Sequence, residues 1–155
     1  MHAPRAPTLT RSDVRARDAV RRVAVLLRWL ARSSRQAFGA DSYDYLQSAM
    51  GLGQLLQDKG DLAAAEPLLR EGADGLTQLK GPDDAESLTS RRALAQLLLD
   101  KGDLTEAAPR LKELCDASRH ALGEGADVTR QADALYGACL QRLGRTDEEA
   151  ALYVC

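Results

Sequence analysis

The sequence predicts an all-α chain, an α-solenoid of antiparallel helix pairs made of about three repeats plus an N-terminal helix. The first observation behind this is a repeated phrase: QDKGDLAAAEPLL at 57–69 returns as LDKGDLTEAAPRL at 99–111, 42 residues later. The second is a set of glycines that keep the same step, Gly39, Gly81 and Gly123 in one series and Gly60, Gly102 and Gly144 in the other. The third is composition. Phe 1, Trp 1 and Tyr 4 are few while Leu and Ala abound, a balance that favours helices over sheets. At 155 residues the chain is long enough for one core and too short for two of ordinary size.

Each repeat reads as two helices. In the first, Leu46, Leu52, Leu55 and Leu56 fall along one side of a 3.6-residue helix, and Leu88, Leu94, Leu97 and Leu98 repeat the pattern one period later. Gly60 and Gly102 are placed to end that helix in the left-handed conformation, and Asp61 and Asp103 to cap the next. The second helix carries Leu62, Ala65, Leu68 and Leu69, matched by Leu104, Ala107 and Leu111, with Pro67 and Pro109 early enough to cost few hydrogen bonds. Gly53, Ala95 and Gly137 are small where the two helices of a pair should approach closely. One pair cannot bury its apolar faces alone, whereas stacked pairs share a continuous core.

These residues resemble tetratricopeptide repeats, and the 42-residue unit GPDDAESLTSRRALAQLLLDKGDLTEAAPRL is similar to those of kinesin light chains. The resemblance covers roughly residues 39–155 and implies a non-catalytic scaffold or adaptor that binds a peptide segment or a neighbouring subunit on its curved surface. It implies that the first helix of each pair lines a concave groove. Gln47, Met50, Gln54 and Gln57 would then face Arg92, Gln96 and Leu99, with Gln131, Ala138 and Gln141 continuing the surface. Kinesin light chains usually carry paired asparagines where Met50-Gly51, Arg92-Ala93 and Ala134-Leu135 stand here. A glutamine-rich groove with one cation suits extended, polar segments, because amides both donate and accept.

The expected organisation is a tail at 1–10, a basic helix at 11–38, repeats at 39–80 and 81–122, and a shortened third repeat at 123–155. The net charge of -2 hides an asymmetry: residues 1–40 hold nine Arg against Asp13 and Asp18, so the remainder is acidic. The basic segment has two readings. AVRRVAVLLR aligns with DLAAAEPLLR one period on, which makes it the second helix of a degenerate repeat. Alternatively, Val20, Val23, Leu26, Leu27 and Leu30 form an apolar stripe edged by Arg21, Arg22, Arg28 and Arg32, the pattern of an interfacial or targeting helix. The C-terminal TDEEAALYVC reads as a short, uncapped end that frays or docks on another subunit.

Catalysis finds little support. His2 and His120 are scattered, and the acidic pairs Asp83-Asp84 and Glu148-Glu149 stand at helix starts. Cys115 and Cys139 occupy packing positions, and three unclustered cysteines read as those of a reducing compartment. No cofactor, metal or small-molecule substrate is expected. The expected partner is another protein or a second copy, with a membrane surface as a further candidate for the basic helix and nucleic acid disfavoured. The cytoplasm is the expected location, an organelle the alternative if the arginine-rich segment is a targeting signal. A permanently embedded accessory subunit is the alternative role.

Overall fold

A computed structural model describes residues 11–39 and 41–145, in six helices: α1 (Arg11–Phe38), α2 (Tyr43–Asp58), α3 (Leu62–Lys80), α4 (Ala85–Lys101), α5 (Leu104–Leu122) and α6 (Asp127–Arg142). Within α1, the side chains of Val20, Leu27 and Leu30 lie outside that description, as do the segments 1–10 and 146–155 with the tail and end expected there. Among the described residues there is no strand, and no helix is long and apolar enough to cross a membrane.

The turns follow one rule. Gly39, Gly60, Gly81, Gly102, Gly123 and Gly144 all have positive φ, one every 21 residues, so both the turn within a pair and the turn between pairs end on glycine. Side chains then cap most of the next helices. Ser42 accepts from the Tyr45 amide, Asp61 from Ala64, Asp84 from Glu86 and Ser87, and Asp103 from Glu106. Each such cap satisfies an amide that the helix start leaves open, a contribution of about 1 kcal/mol. α6 starts at Ala126 without one.

The leucine pattern becomes the core. Leu46, Leu69, Leu88, Leu97, Leu98, Leu111 and Leu140 are almost wholly removed from solvent, and the core runs unbroken through α2 to α6. Close approach within the first pair depends on Gly53, where an added Cβ would lie 2.7 Å from Leu69 Cγ. Cys115 and Cys139 are buried free thiols packed as small apolar groups, and burial pushes both thiols up from their ordinary range.

The helices form two layers. The first helices touch, α2 against α4 and α4 against α6, whereas the second helices α3 and α5 stand apart and are bridged by long side chains. Arg70 on α3 donates from both terminal nitrogens to Glu106 on α5 at 2.6 Å each and also to Glu66, which Lys101 of α4 pairs as well. The short inner layer and spread outer layer give the stack its curvature. α1 packs on α2 as α3 packs on α4, and Arg35 of α1 lies 5.6 Å over the Tyr45 ring, whose hydroxyl donates to Glu71 at 2.6 Å. Burial and that bond to Glu71 push the Tyr45 phenol up to about 12.

The outer bridge has a pH signature. Hydrogen bonds from Arg70 hold Glu106 down to about 2, below the ordinary ~4.3 of an unfolded glutamate. A depressed folded value means the stabilisation is complete above about pH 4.3 and is lost as pH falls towards 2. After discounting for groups about one-third exposed, Glu106→Gln is expected to lower stability at pH 7 by about 1–1.5 kcal/mol. It should also flatten the fall in urea-unfolding free energy between about pH 5 and pH 2.

Candidate functional site

The groove forms on the inner layer because residues facing away from α3 and α5 on α2 and α4 point into one trough. One cleft of about 390 Å³ is lined by Tyr43, Gln47, Met50, Gln54, Glu86 and Thr89 among others. A second of about 310 Å³ is lined by Gln54, Gln57, Asp58, Arg92, Ala93 and Gln96. Gln54 belongs to both, so the two run end to end along α2 and α4.

Of the residues singled out in the sequence, Gln47, Gln54, Gln57, Arg92 and Gln96 come together on these walls. Met50 touches the first cleft only by an edge. It is buried, because its sulfur fills the space left by Gly72, where an added Cβ would lie 2.5 Å away. Leu99 is a correction: it is a core residue, 4% exposed, and only its backbone oxygen is used, accepting from Arg142 at 2.7 Å. Gln131 and Gln141 are exposed on α6, and neither lines the two clefts. Arg21, Arg22, Arg28 and Arg32 are all exposed on α1, away from the groove, and none forms an ion pair among the described residues.

The structure adds carboxylates that sequence reading missed. Glu86 receives Tyr43 Oη at 3.1 Å, Gln47 Nε2 at 3.3 Å and Lys80 Nζ at 2.5 Å. The Lys80 hydrogen bond holds it below the usual carboxylate range. Asp100 receives Gln57 Nε2 at 2.6 Å and Gln96 Nε2 at 2.9 Å. Gln47 thus uses both amide donors, on Tyr43 and Glu86, whereas Gln57 and Gln96 each spend one on Asp100; the carbonyl ends remain as acceptors. Between the two acidic points, Arg92 has its Nε buried without a hydrogen-bond partner. A buried guanidinium N–H left open costs free energy, which an incoming acceptor recovers once a small shift of the Arg92 side chain uncovers it.

The signal that would have found these partners is a spacing. Tyr43 to Glu86, Gln57 to Asp100 and Arg142 to Leu99 all join residues 43 apart, one repeat plus one residue, across neighbouring first helices. Among the described residues no group of histidine, cysteine and carboxylate side chains could hold a metal ion.

Two-layered stacked helix pairs with a groove on the inner layer define a helical-repeat scaffold. Residues 45–120 match the tetratricopeptide repeat model and are tetratricopeptide repeats, which resemble those of kinesin light chains. Crystal structures of nearly identical TPR-like repeats described for a Podosopora anserina kinesin light chain superpose on it. One gives a TM-score of 0.76 at 17% identity over 91% of this chain and 66% of that one. The other gives 0.75 at 18% identity over 91% and 67%. BtubC (BKLC) from P. vanneervenii gives 0.79 at 14% identity over 88% of this chain and 54% of that one. The chain thus spans between about half and two-thirds of these structures, and identities so low establish the shared fold alone. No curated protein matches in sequence. Tetratricopeptide repeats generally mediate protein–protein interaction.

Proposed function

We propose that this protein is a non-catalytic scaffold that holds an extended, polar segment of another protein along α2 and α4. The observation that carries it is the buried, unpartnered Nε of Arg92 in the cleft whose wall residues Gln57 and Gln96 are bonded to Asp100, next along the groove from the cleft lined by Glu86. A segment that places a carbonyl or carboxylate on Arg92 and N–H donors on the remaining lone pairs of Glu86 and Asp100 matches all three. The exposed Gln54 amide can serve the backbone between them.

A photo-crosslinking residue in place of Gln54, with the exposed outer-layer position Lys112 as control, tests this in cell extract. The expected result is a defined protein adduct at Gln54, absent at Lys112 and lost when Arg92→Ala is added. Adducts at both positions, at neither, or at Gln54 regardless of Arg92 would overturn it.

A further inference from the structure

The outward face of α1 differs from the corresponding face of its sister helices in one consistent direction. The alignment that sets Leu26-Leu27-Arg28 on Leu68-Leu69-Arg70 places Val25 on Pro67 and Pro109, and Trp29 on Glu71 and Glu113. The same alignment places Arg22 on Ala64 and Glu106, and Arg32 on Asp74 and Asp116. At every one of these positions an anionic, small or proline residue has become a cation or a large apolar group.

All four are exposed, and Trp29 stands 66% open with Leu26 at 63% and Val25 at 61%. At 100° per residue, Arg21 to Arg32 put these side chains in one arc of roughly 160°, about 16 Å long. Asp18 is the one exposed acid described on that arc.

Loss of a stacked neighbour accounts for only part of this. Val23, Leu26 and Trp29 lie at the registers of Ala65, Leu68 and Glu71; the first two of these pack into the core and Glu71 meets Tyr45 and Arg35 of the preceding helices, and no described helix fills that place for α1. Val25 is different, because Pro67 and Pro109 are exposed even where the stack is complete. A neighbouring repeat would leave that position in solvent. Among the described residues the cations find no ion pair in the body: Arg28 has the register of Arg70, but Ala64 stands one period before Glu106, the partner of Arg70. The clefts described above lie on the opposite, inner layer, and a single convex helix offers a flat surface in place of a groove.

We infer that α1 is a peripheral membrane-binding element that sets Trp29, Leu26 and Val25 into the interface of an anionic bilayer while Arg21, Arg22, Arg28 and Arg32 meet the headgroups. Tryptophan and leucine flanked by arginine are the composition that partitions to this depth, and charge supplies the selectivity for anionic lipid. The groove faces away from α1's outward side, so membrane contact leaves it open.

Trp29 is the chain's only tryptophan, so its fluorescence reports this face alone. The full chain is titrated with vesicles of phosphatidylcholine, with and without phosphatidylglycerol, and with polyglutamate as a charged polymer that lacks an apolar phase. The expected result is a blue shift of Trp29, protection from acrylamide and co-sedimentation with the anionic vesicles only, all reversed by raised salt. Arg22→Glu with Arg32→Asp, which restores the sister-helix charges, should weaken binding at least 25-fold, since each arginine near an anionic surface is worth about fivefold. Its thermal unfolding should be unchanged.

Failure to bind anionic vesicles at low salt overturns the inference, as does binding that survives the double substitution. A Trp29 already shielded in a concentration-dependent oligomer would assign the face to a second copy. An equal shift with polyglutamate would assign it to an acidic protein. The acrylamide measurement on the unsubstituted chain needs no variant, so the inference remains testable should the substitutions disturb folding.

Discussion

Leu69→Ala is expected to lower the unfolding free energy by about 3–5 kcal/mol, because Leu69 is fully buried and packed where α2 and α3 come closest. Its Cγ and Cδ2 lie 2.7 and 2.8 Å from the place a Cβ on Gly53 would occupy, so the backbone of α2 is seated directly on this side chain. The same geometry makes Gly53→Ala destabilising, by about 1–3 kcal/mol for overpacking, set against roughly 1 kcal/mol gained in helix propensity. Combining the two should cost less than their sum, since the added methyl enters the volume Leu69 has left. A coupling of about 1–2 kcal/mol in a urea-unfolding double-mutant cycle is the expected reading. Strict additivity would mean that the methyl finds room by another route and that Leu69 does not set the helix spacing.

Much of this contact was legible in advance, because Gly53 stands where Ala95 and Gly137 stand and Leu69 where Leu111 stands. A 42-residue period fixes which residues are equivalent, and equivalence plus helical spacing fixes which face is buried. The groove was only half legible. The glutamines on its walls could be placed by family resemblance, but Glu86 and Asp100 could not, since a contact between neighbouring repeats depends on their relative shift. That shift is the extra residue in the 43-residue spacing of Tyr43 to Glu86 and Gln57 to Asp100. Leu99 was misplaced because α4 is covered on almost every side: from Ala93 to Leu99 only Gln96 is not buried. Such a helix has no strong amphipathic pattern from which to choose an outward face. The unpartnered Nε of Arg92 has no sequence signature, being a property of local packing.

The six turn glycines are expected to divide into two classes on substitution. Gly102, within a pair, has φ 81° and ψ 14°, and its amide together with that of Asp103 closes the end of α4 on Leu98 and Leu99. This is the left-handed region that asparagine tolerates, so Gly102→Asn should be nearly neutral and Gly102→Ala should cost about 1 kcal/mol. Gly81, between pairs, has φ 96° and ψ 160°, and Gly123 has φ 84° and ψ 169°. That region is almost closed to any residue with a Cβ, so Gly81→Ala and Gly81→Asn should each cost about 2–3 kcal/mol. An added Cβ at Gly81 meets nothing within 4 Å, which makes the cost one of backbone conformation alone. Pro82 reinforces the extended ψ, because the residue before proline is held out of the helical region. It cannot be the only cause, since Gly123 adopts the same geometry before Glu124. The shared cause is the direction the chain must take to start the next pair, and so the between-pair turn sets the angle at which α2 meets α4. Thermal unfolding of the four variants should therefore rank Gly102→Asn above Gly102→Ala, with the two Gly81 variants lowest and alike. A Gly81→Asn as stable as Gly102→Asn would show that the turn can relax into the ordinary left-handed form and that the groove does not depend on it.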